Sequence, residues 1–171
     1  MRIIERPGTA GARSALVPRS DVPRAAALAL TAALVVLAAP LGAQDVGSDI
    51  VVSASGLRND RGTVRCYLFS SAEGYPTRPL SAVARDVVAV TSERTARCTF
   101  RGVAPGDYAV ALHHDEDGDG LFDTGIFGIP TEGTAASRDA RGSLGPPSFA
   151  DARFTHAGAE TRLDVRMQYV F

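Results

Sequence analysis

The sequence predicts an all-β fold, an antiparallel β-sandwich of about seven strands. After residue 44, apolar and polar residues alternate in nearly every segment, which is the two-residue period of a half-buried strand. Clusters that contain glycine, proline, asparagine or aspartate separate these segments at short intervals, as turns between strands do. No segment after residue 44 has the period of an amphipathic helix, so we expect no long helix in this part of the chain.

The first 43 residues have the three parts of a secretory signal. A long polar segment with five arginines, residues 1–24, precedes the apolar run Ala25–Ala39, and a small residue, Ala43, stands before Gln44. The apolar run is shorter than the roughly 20 residues that span a bilayer, which favours a cleaved signal over a retained membrane anchor. We therefore expect an exported protein, periplasmic or secreted, with a single domain from 44 to 171 and no membrane span after cleavage.

Six segments alternate clearly enough to be assigned as strands. The C-terminal segment has the clearest pattern, because every second residue from Leu163 to Phe171 is apolar. Turn residues such as Asn59-Asp60-Arg61-Gly62 and Pro105-Gly106 lie between the segments. The predicted strands are Asp49–Ser55, residues 62–70, residues 85–91, residues 95–101, Asp107–His114 and Leu163–Phe171.

The two cysteines, Cys66 and Cys98, each lie in a predicted strand. By alternation Cys66 shares a face with Val64 and Leu68, and Cys98 shares one with Phe100, so both side chains should point into the core. In an exported protein, an inward-facing pair favours a disulfide over two free thiols. The spacing is unlike C-x-x-C, which argues against a redox or metal role.

The charge of the chain limits the kind of partner. From Gln44 onward there are 17 acidic residues against 13 arginines, a net charge of −4, and lysine is absent. A mildly acidic domain without a basic run lacks the electrostatic footprint of a nucleic-acid-binding protein. We therefore expect no nucleic-acid partner, and an unidentified extracytoplasmic partner or ligand instead.

A loop rich in aspartate follows His114. Aspartates occupy positions 1, 3, 5 and 9 of this loop and glycine occupies position 6, which is the spacing of oxygen ligands and the sharp turn of a Ca²⁺ loop. Position 12 is not the glutamate of an EF-hand and no helix flanks the loop, so we expect Glu132 to fold back and supply the missing carboxylate. The alternative is a solvated acidic turn. The predicted Ca²⁺ ligands are the side chains of Asp115, Asp117, Asp119, Asp123 and Glu132 and the carbonyl oxygen of Leu121.

The region from Asp115 to about residue 150 interrupts the strand pattern with many glycines, prolines and aspartates. Loops longer than about 12–15 residues are uncommon in compact domains unless they are functional or disordered. This one contains apolar residues at Ile126–Pro130 and Gly145–Phe149. We therefore predict one long ordered loop, 115–150, that packs back onto the sandwich.

The histidines give little support to catalysis. His113 and His114 are adjacent on a predicted strand, so their side chains point to opposite faces and cannot readily share one metal ion. His156 is the only other histidine, which disfavours a zinc site, and we expect His114 to make a structural hydrogen bond to the acidic turn that it enters. Gly142-Ser143-Leu144-Gly145 has the wrong spacing for a nucleophile elbow.

Several linked motifs follow one another along the chain: Gly56-Leu57-Arg58, Gly62, Pro105–Val110, His114-Asp115, Asp117, Asp119-Gly120, Asp123, Phe127–Pro130, Glu132-Gly133, Pro146–Phe149 and Asp151-Ala152. Together they resemble a bacterial secreted family, domain of unknown function 2141. The family pattern runs H-D-x-[ND]-x-[ND]-G-x-x-D, then F-G-x-P-x-E-G, then P-x-F-x-x-A. The resemblance implies a small exported β-sandwich similar to immunoglobulin, transthyretin-like or Cna-B-like domains, and it brings no established activity. An aromatic residue and Phe-Ser usually follow Glu-Gly in the family, whereas Thr134–Ser137 stand here.

Two functions remain after these steps. The first is a non-enzymatic exported β-sandwich whose long loop, rigidified by Ca²⁺, presents a binding surface or serves as an accessory module. The alternative is a metal-dependent hydrolase of cell-envelope glycan or peptide that uses Asp115, Glu132 and His114 around a metal ion. The first is favoured, because structural roles account for every motif and no nucleophile with a nearby base can be placed.

Overall fold

Two β-sheets pack face to face in the computed structural model, which describes residues 47–170. The predicted signal peptide, residues 1–43, lies outside the described residues. The all-β sandwich is confirmed, with eight strands between residues 47 and 170. The strands are β1 (Ser48–Ser55), β2 (Thr63–Phe69), β3 (Ala84–Ala89), β4 (Ala96–Val103), β5 (Gly106–Asp115), β6 (Gly133–Ala136), β7 (Phe154–His156) and β8 (Thr161–Arg166).

Hydrogen bonds join the edge strands of the two sheets on both sides of the sandwich. The smaller sheet has the order β4–β1–β8, and the larger has the order β3–β2–β5–β6 with β7 paired to the start of β5. On one side, the backbone N–H of Thr99 on β4 donates to the Asp86 carboxylate on β3 at 2.8 Å. On the other side, the backbone groups of Thr134 on β6 and Gln168 after β8 bond to each other. These links close the sandwich around its core.

One strand pairing differs from the predicted antiparallel arrangement. β1 is antiparallel to β4 but runs parallel to β8 through six residue pairs. Alternation reports which face of a strand is buried but not the direction of its neighbour, so the sequence pattern could not reveal the parallel pair. The last strand also ends at Arg166 and not at Phe171, because the chain then crosses to the larger sheet, where Gln168 pairs with Thr134.

The inward faces of both sheets form one core, and a disulfide crosses it. Cys66 on β2 and Cys98 on β4 are bonded, with Cα atoms 6.5 Å apart, and both residues are buried. The bond joins the larger sheet to the smaller one, and it confirms the disulfide predicted from the alternation of the two strands. Buried apolar side chains pack around it, among them Ile50, Val52, Val64, Leu68, Phe100, Val110, Leu112 and Val165.

The predicted long loop is ordered and includes secondary structure that the pattern did not reveal. β6 lies within it and pairs with β5, although its sequence, Gly-Thr-Ala-Ala, is too short and too uniform in size to show alternation. Buried Ser137 ties the end of the loop to the sheet, since its hydroxyl accepts from the Val110 N–H at 2.9 Å and donates to the Ala152 carbonyl at 2.6 Å.

Helices are few and short in this part of the chain. The helix α1 (Phe149–Ala152) has one turn, and three 3-10 turns occur at Pro79–Ser81, Ile126–Gly128 and Ser137–Asp139. None of the helices between residues 47 and 170 has the length and apolar character needed to cross a membrane.

Candidate functional site

Strand β5 places its last residues on alternate faces of the larger sheet. His114 pairs with core residue Val64 and faces inward, whereas His113 and Asp115 face outward. The neighbouring strand β2 places Arg65 directly opposite His113. The outward face of β5 therefore carries a histidine and a carboxylate to the start of the acidic loop, with an arginine beside them.

Asp115 anchors the acidic loop to the sheet. Its side chain is fully buried, and it accepts hydrogen bonds from Arg65 Nε at 2.7 Å, from the Gly118 N–H at 2.8 Å and from the Gly120 N–H at 3.1 Å. Burial alone would raise the pKa of Asp115, but the bonds from Arg65 and the two amides outweigh it and hold the pKa below its usual range. Gly120, the predicted turn residue, has φ of +84°, a backbone conformation that glycine adopts without strain.

Glu132 folds back and closes the acidic loop from its far end, while its predicted role as a Ca²⁺ ligand stays a prediction. Its carboxylate accepts from the Glu116 N–H at 2.9 Å, from the Asp123 N–H at 3.2 Å and from His113 Nε2. Burial would raise the pKa of Glu132, yet the hydrogen bonds from His113 and the two amides lower it overall. The carboxylate is therefore ionised and joins both ends of the loop to β5.

Three of the six predicted metal ligands come together. Ligand oxygens of Asp115, Asp117 and Glu132 all lie within 4.8 Å of one another. Asp119 instead accepts a hydrogen bond from the Leu121 N–H at 2.7 Å, so both residues shape the turn through that contact. The pKa of Asp123 is raised by partial burial and by the charges of Glu132, Asp119 and Asp117.

The clustered carboxylates retain capacity for a divalent cation. A carboxylate oxygen has two lone pairs, and Asp115 Oδ1 and Glu132 Oε1 each accept one hydrogen bond within residues 47–170. Asp117 uses only Oδ1, which accepts from the Asp119 N–H at 3.1 Å. Each of the three residues therefore keeps an oxygen lone pair, and hard oxygen donors of this kind suit Ca²⁺. The residues present fit such an ion, with the remaining positions left to backbone carbonyls or water.

Two arginines hold Glu116, a part of the site that the sequence did not reveal. Arg58 lies 2.8 Å and Arg61 lies 3.8 Å from the Glu116 carboxylate, and Asn59 Nδ2 donates to the same group. The turn after β1 is thereby fastened to the acidic loop. Arg65 and His113 were likewise missed as partners of Asp115 and Glu132. The sequence offered one signal for them. Both lie at outward-facing positions of predicted strands, and a carboxylate that becomes buried beside them requires a charged or hydrogen-bonding partner.

His114 has a structural role, but its partners differ from the predicted ones. Its Nε2 lies 2.9 Å from the carbonyl oxygen of Arg61 and therefore donates, while Nδ1 accepts from the Tyr169 hydroxyl at 2.7 Å. Tyr169 in turn accepts from the Arg58 N–H at 3.2 Å. The imidazole thus connects the turn after β1 to the C-terminal segment and does not bond to the acidic loop, because alternation turns it to the opposite face of β5.

His156 approaches a serine without forming a catalytic pair. Its Nε2 lies 3.1 Å from the Val103 carbonyl and 3.2 Å from Ser48 Oγ. A carbonyl oxygen only accepts, so Nε2 carries the proton and cannot take one from Ser48. Nδ1 accepts from the Thr161 hydroxyl at 2.7 Å. All these bonds are structural, and they join β7 to the start of β1.

A cavity of about 750 Å³ lies on the outward face of the larger sheet. Its floor includes Tyr67, Ala111, His113 and Ala136, and its walls come from the loop segments on either side. The rings of His113 and Phe122 meet edge to face with centroids 5.0 Å apart, so the acidic loop forms one wall of the cavity. The structure thereby places the predicted cation loop beside a space large enough for a small molecule.

The chain matches a known protein family. The model of a family described as an uncharacterized protein conserved in bacteria, domain of unknown function 2141, matches residues 52–164. The chain belongs to this family. The match covers the acidic loop, Glu132 and both cysteines, so the site lies inside the family 2141 region. No curated protein and no solved structure matches the chain, and the predicted similarity to transthyretin-like or Cna-B-like domains stays a prediction.

Acid should destabilise this family 2141 protein through Asp115 and Glu132. Both carboxyl groups have a lowered pKa in the folded state, so the unfolded chain binds protons more readily. Their contribution to stability is therefore present above about pH 4 and is lost as the pH falls through the folded-state pKa values. Urea unfolding in EDTA should show this decline between pH 7 and pH 3. The variant Arg65→Met should decline less steeply, because loss of the guanidinium raises the folded-state pKa of Asp115 and removes the share of that group in the decline; an equal slope would contradict the assignment.

Proposed function

We propose that the protein is an exported, non-enzymatic β-sandwich that binds an extracytoplasmic ligand or partner on its outward sheet face. Ca²⁺ bound by the acidic loop stabilises that face. The observation that carries the proposal is the position of Glu132, which folds back onto the loop and gathers with Asp115 and Asp117 within 4.8 Å. Because the same loop forms a wall of the cavity, an ion that fixes the loop also fixes the shape of the binding surface.

Electrostatics support a cation in the loop. Arg65 compensates Asp115, and Arg58 and Arg61 compensate Glu116. Asp123 has no arginine partner of this kind among the described ion pairs, and its pKa is raised by partial burial and then by the charges of Glu132, Asp119 and Asp117. A divalent cation would compensate these charges.

The donor set favours Ca²⁺ over zinc. The three clustered groups are carboxylates, whereas zinc in proteins prefers cysteine and histidine ligands. Among the histidines nearest the loop, His113 uses Nε2 to bond Glu132, and His114 has both ring nitrogens bonded on the other face of β5.

The hydrolase alternative gains no support from the geometry. It required Asp115, Glu132 and His114 around one metal ion, but the His114 ring is held by Arg61 and Tyr169 on the inward side. The proposal of a binding module therefore remains the simpler account of the arrangement.

Ca²⁺ should raise the unfolding temperature of the purified protein relative to EDTA. With a dissociation constant of about 10⁻⁴–10⁻³ M, typical of extracellular Ca²⁺ modules, about 10 mM free Ca²⁺ should add about 1.4–2.7 kcal/mol to the unfolding free energy. Asp117→Asn should remove most of this gain and leave the EDTA-treated protein almost unchanged, because the Asp117 side chain is exposed.

The matched control is Asp164→Asn, which removes an exposed aspartate from β8 in the other sheet. It should respond to Ca²⁺ as the original protein does. Scans with Mg²⁺ and Zn²⁺ complete the series. Equal responses of the two variants, or no response of the original protein to Ca²⁺, would contradict the cation part of the proposal; stabilisation by Zn²⁺ alone would favour the hydrolase.

A further inference from the structure

The geometry points to the cavity on the outward sheet face as a binding site for a small apolar molecule that carries one anionic group. This inference rests on the proposed binding role but does not require the Ca²⁺ ion. It follows from three features of the cavity: a floor with small side chains, walls with apolar residues and a single guanidinium at the rim.

The floor exists because the outward face of the sheet carries small residues where larger ones would fill the space. Ala111 on β5 lies opposite Ala136 on β6, and Thr134 lies opposite His113. On the other side of β5, Tyr67 of β2 lies opposite Ala111. The small side chains leave a depression beside Tyr67, and Ala111 and Ala136 are buried at its bottom.

The walls are mostly apolar. Phe122 and Phe127 contribute from the acidic-loop side, and Pro76, Leu144 and Pro146 contribute from the opposite side. Leu144 is fully exposed and Phe127 is 95% exposed. Phe127 also has φ of +63°, a conformation that is uncommon for a bulky residue. These side chains present apolar surface to solvent, and an apolar occupant would gain free energy by covering it.

The charge of the cavity is one-sided. Among the described residues that line it, Arg141 is the only arginine and no aspartate or glutamate is present. His113 also lines it, but its Nε2 is committed to Glu132. Arg141 is exposed at the rim, and a guanidinium binds carboxylate, sulfonate or phosphate oxygens. Charge complementarity therefore selects an occupant with one anionic group near the rim and an apolar body over the floor.

The size of the cavity fits a small molecule. Its volume of about 750 Å³ lies within the range of about 300–1,000 Å³ found for small-molecule sites. With apolar walls and few polar groups, such a site gains affinity from burial and orientation from the single charged contact.

Fluorescence titration with anilinonaphthalene sulfonate, an aromatic anion, tests the inference on the purified protein. We expect saturable binding of one probe per chain at neutral pH. Ala111→Leu should fill the floor and weaken binding about tenfold or more, a loss of about 1.4 kcal/mol. Arg141→Gln should weaken binding about two- to fivefold, as expected for an exposed ion pair, and should leave binding of the uncharged N-phenylnaphthylamine unchanged.

Matched substitutions outside the cavity provide the controls. Ala89→Leu makes the same change at an exposed position of β3, and Arg97→Gln removes an exposed arginine from β4; both should bind the probe as the original protein does. Far-ultraviolet circular dichroism checks that each variant is folded. If Ala111→Leu does not fold, Phe127→Ala, at an exposed wall position, gives a second test and should weaken probe binding. Absence of probe binding, or equal binding by the cavity and control variants, would overturn the inference.

The titration is repeated in EDTA and in Ca²⁺, so that two failures remain distinguishable. Probe binding at the cavity without any Ca²⁺ stabilisation would overturn the cation part of the proposed function and support the cavity. Ca²⁺ stabilisation without probe binding would overturn the cavity inference alone.

Discussion

Reduction of the Cys66–Cys98 disulfide should lower the unfolding free energy by about 3–4 kcal/mol. The bond closes a loop with a sequence separation of 32, and its loss frees the unfolded chain to adopt many more conformations. It also removes the covalent link between β2 of the larger sheet and β4 of the smaller one. For a domain of this size, which keeps about 5–15 kcal/mol in total, the effect is large.

Urea unfolding of the oxidised protein and of the protein in dithiothreitol measures this loss with identical side chains. The variant Cys66→Ala/Cys98→Ala should lose at least as much, because it also leaves small voids among Ile50, Leu68 and Phe100 in the core. A reduced protein within about 1 kcal/mol of the oxidised one would show that core packing alone holds the sheets together.

Arg65→Met should destabilise the protein by about 3–5 kcal/mol in EDTA, the range for breaking a buried ion pair by removing one partner. The Asp115 carboxylate is fully buried, while the Arg65 side chain is 25% exposed. Without the guanidinium, the carboxylate keeps its bonds from the Gly118 and Gly120 amides but loses its compensating charge. It would then have to take up a proton or draw in water.

The matched control is Arg97→Met, which removes an exposed arginine from β4 and should change the unfolding free energy by less than about 0.5 kcal/mol. Adding Asp115→Asn to Arg65→Met should recover part of the loss, because the buried charge is then gone. Ca²⁺ should also recover part of it if the ion binds Asp115. A loss equal to that of the control would mean that the ion pair contributes nothing.

The two-residue alternation of apolar and polar residues was enough to predict the fold class and the disulfide, because both depend on which face of a strand is buried. Alternation placed Cys66 and Cys98 in the core, and the acidic spacing with Glu132 downstream led to the expectation that this residue folds back. Each of these is a local property of the chain. The parallel pairing of β1 with β8 is not, since it depends on which end of the sandwich each strand enters.

For the same reason, the polar contacts of the site could not be predicted from the sequence. Arg65 reaches Asp115 because β2 and β5 are aligned in a register that places Arg65 opposite His113. His113 meets Glu132 only after the loop has turned back over the sheet. Strand register and loop path are set by the packing of the whole domain, so no local pattern could assign these partners in advance.

The parallel pair also bears on when the protein can fold. β1 begins the described chain and lies between β4 and β8, while β8 is the last strand. During synthesis, the central strand of the smaller sheet therefore lacks one neighbour until the chain has been made as far as β8, Thr161–Arg166. Contacts between residues so far apart in sequence slow folding. For a protein that is exported as proposed, this delay favours passage of an unfolded chain, with folding of the smaller sheet completed only after β8 has crossed the membrane.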